Sequence, residues 1–182
     1  MKRKIFLALY YGFARWLPVS YRPGGRLGSK LRVWCCRHIF ESCGTGVNIE
    51  RGAYFADGSR VRIGDRSGIG VNAHLKFNTI IGSDVMMGPG FVVQESRHAF
   101  ARTDIPMNRQ GELPPQQVVI DDDVWIGTDV MVVGNRRIRR GSILAARAVV
   151  VKDFPEMSII GGNPSRLIRS RVDVENLHVE NG

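Results

Sequence analysis

Residues Ile63 to Val93 read IGDRSGIGVNAHLKFNTIIGSDVMMGPGFVV. Aliphatic side chains fall at every sixth position: Ile63, Ile69, Leu75, Ile81, Met87 and Val93. Two places before each stands a mostly small or β-branched residue: Val61, Ser67, Ala73, Thr79 and Val85, with Phe91 as the large exception. Glycine follows four of the aliphatic positions, at Gly64, Gly70, Gly82 and Gly88. Neither the 3.6-residue period of a helix nor the two-residue period of a strand gives a strict six. An internal repeat of this length marks a solenoid, here a parallel β-helix. Six residues make one short flat strand and a corner, three sides close a triangular turn, and turns stack about 4.8 Å apart. The aliphatic residue fills the axis, its small partner fits near the corner, and glycine is expected to supply a positive φ there. Each turn buries its core only against its neighbours, so several are needed.

The spacing returns at Ile120, Ile126, Val132, Ile138, Leu144 and Val150, with Arg136 the one misfit among the partners two places earlier. Upstream, Ile49, Phe55 and Val61 read as irregular first turns. Between the two runs lie residues 94–117, charged and carrying Pro106, Pro114 and Pro115. From Val93 to Ile120 is four and a half repeats, so the chain leaves the solenoid there, and a long loop inside a repeat is usually functional.

The chain has 182 residues, enough for one domain with a real core. The net charge of +9 is unevenly placed. Residues 1–40 hold nine Lys/Arg and no Asp or Glu, and the remainder is neutral. Ile5 to Leu17 is apolar and aromatic but shorter than the ~20 residues that span a bilayer, and no small-residue cleavage site follows it. Leu27, Leu31, Trp34, Cys35 and Ile39 predict one apolar face on a second basic helix. Two readings follow: these helices cap the solenoid or contact a neighbouring subunit, or they lie on an anionic inner membrane leaflet. No nucleic-acid motif accompanies the charge. Cys35, Cys36 and Cys43 are odd in number and clustered, which suits reduced packing thiols in a cytoplasmic protein better than a disulfide framework. A zinc site would have only His38 as a nearby fourth ligand, and no metal is expected.

The interrupting loop reads Glu95-Ser96-Arg97-His98-Ala99-Phe100, then Asp104-Ile105-Pro106-Met107-Asn108-Arg109-Gln110-Gly111. Downstream come Val124-Trp125-Ile126-Gly127 and Gly162-Asn163-Pro164-Ser165-Arg166-Leu167-Ile168-Arg169. With the two six-residue registers, these stretches resemble the hexapeptide-repeat acyltransferases, in the branch that O-acetylates sugars and polysaccharides. The resemblance covers roughly residues 44 to 170. It implies a left-handed parallel β-helix, with an N-terminal helical segment (1–42), a β-helix domain (43–170, excursion 94–117), a short C-terminal helix and a flexible tail (171–182). It implies a homotrimer, acetyl-CoA as acyl-donor co-substrate, and a sugar or lipid-linked glycan acceptor in surface polysaccharide assembly.

Residue by residue, the resemblance makes His98 the catalytic base. A sugar hydroxyl is a poor nucleophile, and a neutral imidazole that takes its proton is worth typically 10²–10⁴-fold. Glu95, Asp104 or a backbone carbonyl would orient the ring. Thr128 and Ala146 would line the pantetheine arm, Val151 and Lys152 would follow, and Arg166 and Arg169 would meet the nucleotide phosphates. Arg97, Asp104, Gln110 and Trp125 would shape the loop or touch the acceptor. Two departures bear on the donor groove: Gly134-Asn135-Arg136-Arg137-Ile138-Arg139-Arg140 and Leu144-Ala145-Ala146-Arg147 replace the family's usual coil sequences. Alternatives are an acetyltransferase for a small hydroxylated molecule such as an antibiotic or serine, a non-catalytic assembly protein, and a metal-dependent carbonic anhydrase. The last needs three histidines where His74 and His98 are the only ones between residues 74 and 177.

Overall fold

A computed structural model of the chain describes residues 2–76, 78–95 and 98–173. Two helices, α1 (Lys2–Gly12) and α2 (Gly25–Ile39), precede a stack of short strands wound into a three-sided prism. One side, face 1, stacks β1 (Ser42–Cys43), β3 (Arg62–Ile63), β5 (Thr79–Ile81), β8 (Val118–Ile120) and β11 (Arg136–Ile138) in parallel. Face 2 carries β2 (Asn48–Ile49), β4 (Gly68–Ile69), β6 (Met86–Met87), β9 (Trp125–Ile126), β12 (Ile143–Leu144) and β14 (Ser158–Gly161). Face 3 carries the Tyr54–His74–Val92 bridges, β7 (Val92–Gln94), β10 (Met131–Val133) and β13 (Val149–Val150).

Stacked partners are 18 residues apart, as Arg62 and Ile80 are, which is three sides of six. Across the excursion the step from Ile80 to Val119 is 39, so 21 extra residues leave the coil and return without disturbing the register. In the first coil the step from Ser42 to Arg62 is 20. The core position after Phe55 is therefore Ile63, and Val61 is its small partner rather than a member of the axis.

Every expected axis residue from Ile63 to Val150 is buried except Met87, which packs partly buried against the core. Every partner two places earlier is buried except Arg136. The glycines have a different reason from the one the repeat suggested. Gly64, Gly70, Gly82 and Gly88 have no positive φ; a Cβ on Gly70 would sit 2.2 Å from the carbonyl oxygen of Gly88 on the next coil. They let coils stack closely. The left-handed corner residue stands three places after the axis residue instead: Arg66, Asn72, Asp84, Gly90, Asp123, Asp129, Gly141 and Arg147.

The helices close the N-terminal end of the prism. The Tyr10 hydroxyl donates to Ala53 O at 3.0 Å, and Tyr11 to Ala56 O at 2.7 Å. The inner face of α2 is Gly28, Arg32, Cys35, Cys36 and Ile39, so of the expected apolar face Cys35 and Ile39 are buried and Leu31 packs partly buried against the core. Arg32 is fully buried, its Nε donating to Ile49 O at 2.5 Å and its Nη1 to Leu17 O at 3.0 Å, with Glu50 3.8 Å away. Leu27 (73% exposed) and Trp34 (48%) point outward. The three cysteines are free, and His38 stacks on Phe6 at 4.0 Å.

At the other end, the expected C-terminal helix is a strand. β15 (Arg166–Ser170) turns back antiparallel on β14. Helical backbone begins only at 171, and the tail beyond 173 lies outside the described residues.

Candidate active site

The excursion leaves the coil at Gln94 and returns at Gln117, replacing the corner between faces 3 and 1. Its return is pinned to the coil: Gln117 N donates to Asn135 Oδ1 at 3.0 Å and Gln117 Nε2 to Asn78 Oδ1 at 2.9 Å. Within the loop Gln110 acts as a clamp. Its Oε1 accepts from Arg102 N at 3.0 Å, and its Nε2 donates to Arg102 O at 2.7 Å and Ile105 O at 3.0 Å. Pro106 leads into a 3-10 turn, Met107–Arg109.

His98 is exposed and bridges antiparallel to Glu112, beside an Ala99 N to Gly111 O bond of 3.1 Å. With Met107, Asn108, Gly111 and Glu112 it lines a cleft of about 500 Å³. All of those walls belong to the loop; among the described residues no coil residue of the same chain lines the cleft. Asp104 is ion-paired with Arg102, whose hydrogen bonds hold its carboxyl below the usual range. Of the carboxylates expected to orient the ring this leaves Glu95, whose buried Oε1 has no hydrogen-bond partner among the described residues, and the loop adds Glu112 beside His98. Arg97 lies outside the described residues. Glu112 escapes sequence reasoning, because only the antiparallel closure of the loop brings it beside His98.

Thr128 and Ala146 are both exposed and stack on successive coils: Thr128 O accepts from Arg147 N at 2.8 Å, and Gly127 would place a Cβ 2.7 Å from Ala146 N. They form a line at the corner between faces 2 and 3. Arg166 pairs with Gly161, which stacks above Ala145, so it sits at the end of that line; Arg169 pairs with Ile159 one step back along face 2. Val151 and Lys152 fall at the next corner, between faces 3 and 1, with Lys152 over the Phe154 ring at 5.4 Å. Face 3 thus separates a chain's own His98 loop from its own Thr128–Ala146 line. Trp125 projects outward from face 2 beside Met86, both exposed. Of the departures, Gly134 and Arg147 take left-handed corners, and Arg137 pairs with Asp121 at 3.1 Å. Among the described residues no three His, Cys, Asp or Glu side chains converge as a metal site, and no helix is long and apolar enough to cross a membrane.

No protein-family model matches the chain. A Saccharomyces cerevisiae protein named as a putative acetyltransferase is 31% identical over 135 residues, 73% of this chain and 67% of that protein. An Escherichia coli chloramphenicol acetyltransferase is 34% identical over 48% of this chain and 39% of its own length. The galactoside O-acetyltransferase of Escherichia coli K12 is 26% identical over 73% of this chain and 65% of its own. Two of these three relatives are therefore matched over less than two thirds of their length. Among solved structures, a hexapeptide-repeat acetyltransferase from Vibrio cholerae superposes with a TM-score of 0.67 at 24% identity, covering 92% of this chain and 89% of that one. A galactoside acetyltransferase in complex with coenzyme A superposes with a TM-score of 0.68 at 23% identity, covering 96% and 83%. On the six-residue coil and these likenesses together, the chain belongs to the hexapeptide-repeat acetyltransferases.

Proposed function

We propose that the protein is a trimeric, left-handed β-helix O-acetyltransferase that moves an acetyl group from acetyl-CoA to a hydroxyl of a sugar, with surface polysaccharide assembly as its setting. The observation that carries this is the cleft beside His98, walled among the described residues by the loop alone and lying across face 3 from the chain's own corner of small residues. A second copy supplies the missing wall if its Thr128–Ala146 line abuts the loop. Acetyl-CoA then runs along that line past the exposed Thr128 and Ala146, and Arg166 and Arg169 meet its phosphates. The coenzyme A in the galactoside acetyltransferase complex supports this donor.

His98 takes the acceptor proton as the oxygen attacks the thioester carbonyl. An O–C bond forms, the C–S bond breaks, and the proton ends on the coenzyme A sulfur. Glu95, Glu112 or a backbone carbonyl orients the ring, and Asp104 and Gln110 hold the loop in shape. Backbone N–H groups of the second copy's coil stabilise the oxyanion. Trp125 and Met86 give the second copy an apolar strip to cover. The galactoside enzyme aligns along 135 residues and the chloramphenicol enzyme along 87, which favours a sugar over an antibiotic. Release of free thiol from acetyl-CoA, measured over a panel of sugars, lipid-linked glycans and chloramphenicol, tests the reading. His98→Ala is expected to lower kcat by roughly 10²–10⁴-fold without moving the melting temperature; near-normal turnover by that variant would end the assignment.

The N-terminal segment supports a peripheral place on anionic membrane on the cytoplasmic side. Ile5, Phe13, Tyr21, Leu27 and Trp34 are exposed within a stretch of nine cations and no carboxylates. The chain should sediment with phosphatidylglycerol vesicles at low salt and not with phosphatidylcholine, and Leu27→Ser/Trp34→Ser should weaken that binding. A protein wholly in the supernatant at low salt excludes it.

A further inference from the structure

Two adjoining hollows of about 580 and 550 Å³ share Gly52 and Asn72 and run between the N-terminal segment and the first two coils. Arg15, Arg51 and Lys76 line them together with Trp16, Tyr54 and His74, and among the described residues neither is lined by an aspartate or glutamate. Arg15 is fixed in place. Its Nε and Nη2 donate to Gly52 O at 3.1 and 3.0 Å, and its own carbonyl accepts from Gly52 N at 3.0 Å. Its guanidinium lies 5.0 Å from the Trp16 ring and 5.7 Å from the Tyr54 ring. Tyr54 meets His74 edge-on at 4.6 Å. Burial, with the charges of Lys76 and Arg15, holds the His74 imidazole below its ordinary pKa, so near neutrality it is an uncharged hydrogen-bonding group. No ion pair of Arg15, Arg51 or Lys76 occurs among the described residues, whereas Arg3, Arg62, Arg66 and Arg137 on the surface each have a carboxylate. Like charges gathered in a hollow repel one another, and a bound anion relieves that repulsion.

The position is as telling as the charge. Asn72 is the left-handed corner residue between faces 2 and 3 on the second coil, and Gly90, Asp129 and Arg147 hold that corner on the next three. The hollow therefore lies on the same edge as Thr128 and Ala146, toward the N-terminal end, with Asn72 two coils from Asp129, or ~9.6 Å at ordinary strand spacing. His74 is bridged to Val92, and two residues on, at Gln94, the His98 loop departs.

We propose that this hollow seats the acceptor and selects sugars that carry a negative charge, a carboxylate or a phosphate, on Arg15, Arg51 and Lys76, with the sugar ring against Tyr54. This rests on the acetyltransferase reading for its role and on the hollow alone for its ligand. Calorimetric binding to the full-length protein without acetyl-CoA separates the two, using methyl β-D-glucuronide, glucose 6-phosphate and methyl β-D-glucoside as probes. At least one anionic probe should bind tenfold or more tighter than the neutral glucoside, a preference of the size that charge-assisted hydrogen bonds give. Which anionic probe binds tells carboxylate from phosphate. Arg51→Gln/Lys76→Gln, which removes no contact that ties the coil together, should shrink the preference to about threefold or less with an unchanged melting temperature. Equal binding of charged and neutral probes, no binding of any, or an undiminished preference in the double variant overturns the proposal. Charge-selective binding with no thiol release from acetyl-CoA would instead leave the hollow standing and remove the transferase role; thiol release with neutral sugars alone would do the reverse.

Discussion

At Gly70 a single methyl group decides whether two coils can stack. Its Cβ would lie 2.2 Å from backbone of the coil above, where no flexible side chain can give way. Gly70→Ala should therefore cost about 1–3 kcal/mol, as overpacking does, seen as a lower urea midpoint. Asn72, at φ 55°, should behave oppositely. Asn72→Gly should be close to neutral and Asn72→Val should lose about 1–2 kcal/mol, because a branched residue fits the left-handed region badly. A Gly70→Ala protein as stable as the parent would contradict the close-approach account. The repeat made the glycines visible but not their reason. The positive φ sits three places after the axis, mostly on Asn, Asp or Gly (Asn72, Asp84, Gly90, Asp123, Asp129 and Gly141), with Arg66 and Arg147 as exceptions, a signal that the glycines beside the axis drew attention away from. The axis column from Ile63 to Val150 was legible because burial selects side chains directly.

The α2 helix shows where periodicity misleads. Leu27, Leu31, Trp34, Cys35 and Ile39 suggest an apolar face, and Cys35 and Ile39 do go in, yet α2 buries Arg32 and leaves Leu27 and Trp34 outside. Arg32 can go in because the chain ends of Ala14, Leu17, Pro18 and Ile49 offer carbonyls, a partnership that only the tertiary fold creates. Arg32→Ala strands Glu50 and those carbonyls, and should cost about 3–5 kcal/mol. Glu50 also sets a pH dependence. Burial alone would raise its pKa, but hydrogen bonds from Ser20 and Asn48 and the charge of Arg32 hold it below the ordinary value. Its contribution is therefore full above an unfolded pKa of about 4.3 and is lost as pH falls through the lower folded value. Melting temperature should drop less between pH 5 and 3 in Glu50→Gln than in the parent, each scaled to its own value at pH 5. Identical acid limbs would remove Glu50 from the account. The loop was legible in part: Pro106 and Gln110 sit where turn chemistry puts them, whereas Glu112 reaches His98 only by backbone closure.

For the whole molecule, the separation of the His98 loop from the Thr128–Ala146 line makes a distinctive forecast. His98→Ala and Ala146→Trp chains, each inactive alone, should recover activity when refolded together, at about a quarter of interfaces for random closed trimers. Mixtures as dead as their parts would put both halves of the site on one chain. The other end of the stack has its own lesson. A coil of parallel strands finishes in a row of unmet backbone groups, onto which the same row of a second molecule could pair. By doubling back, Arg166–Ser170 meets that row, and it offers outward a short strand studded with arginines. The residues assigned to phosphate thus also cover that row, and a chain cut before Arg166 would be expected to pair tail to tail through it, two copies at a time because the helices close the other end, rather than simply lose its donor.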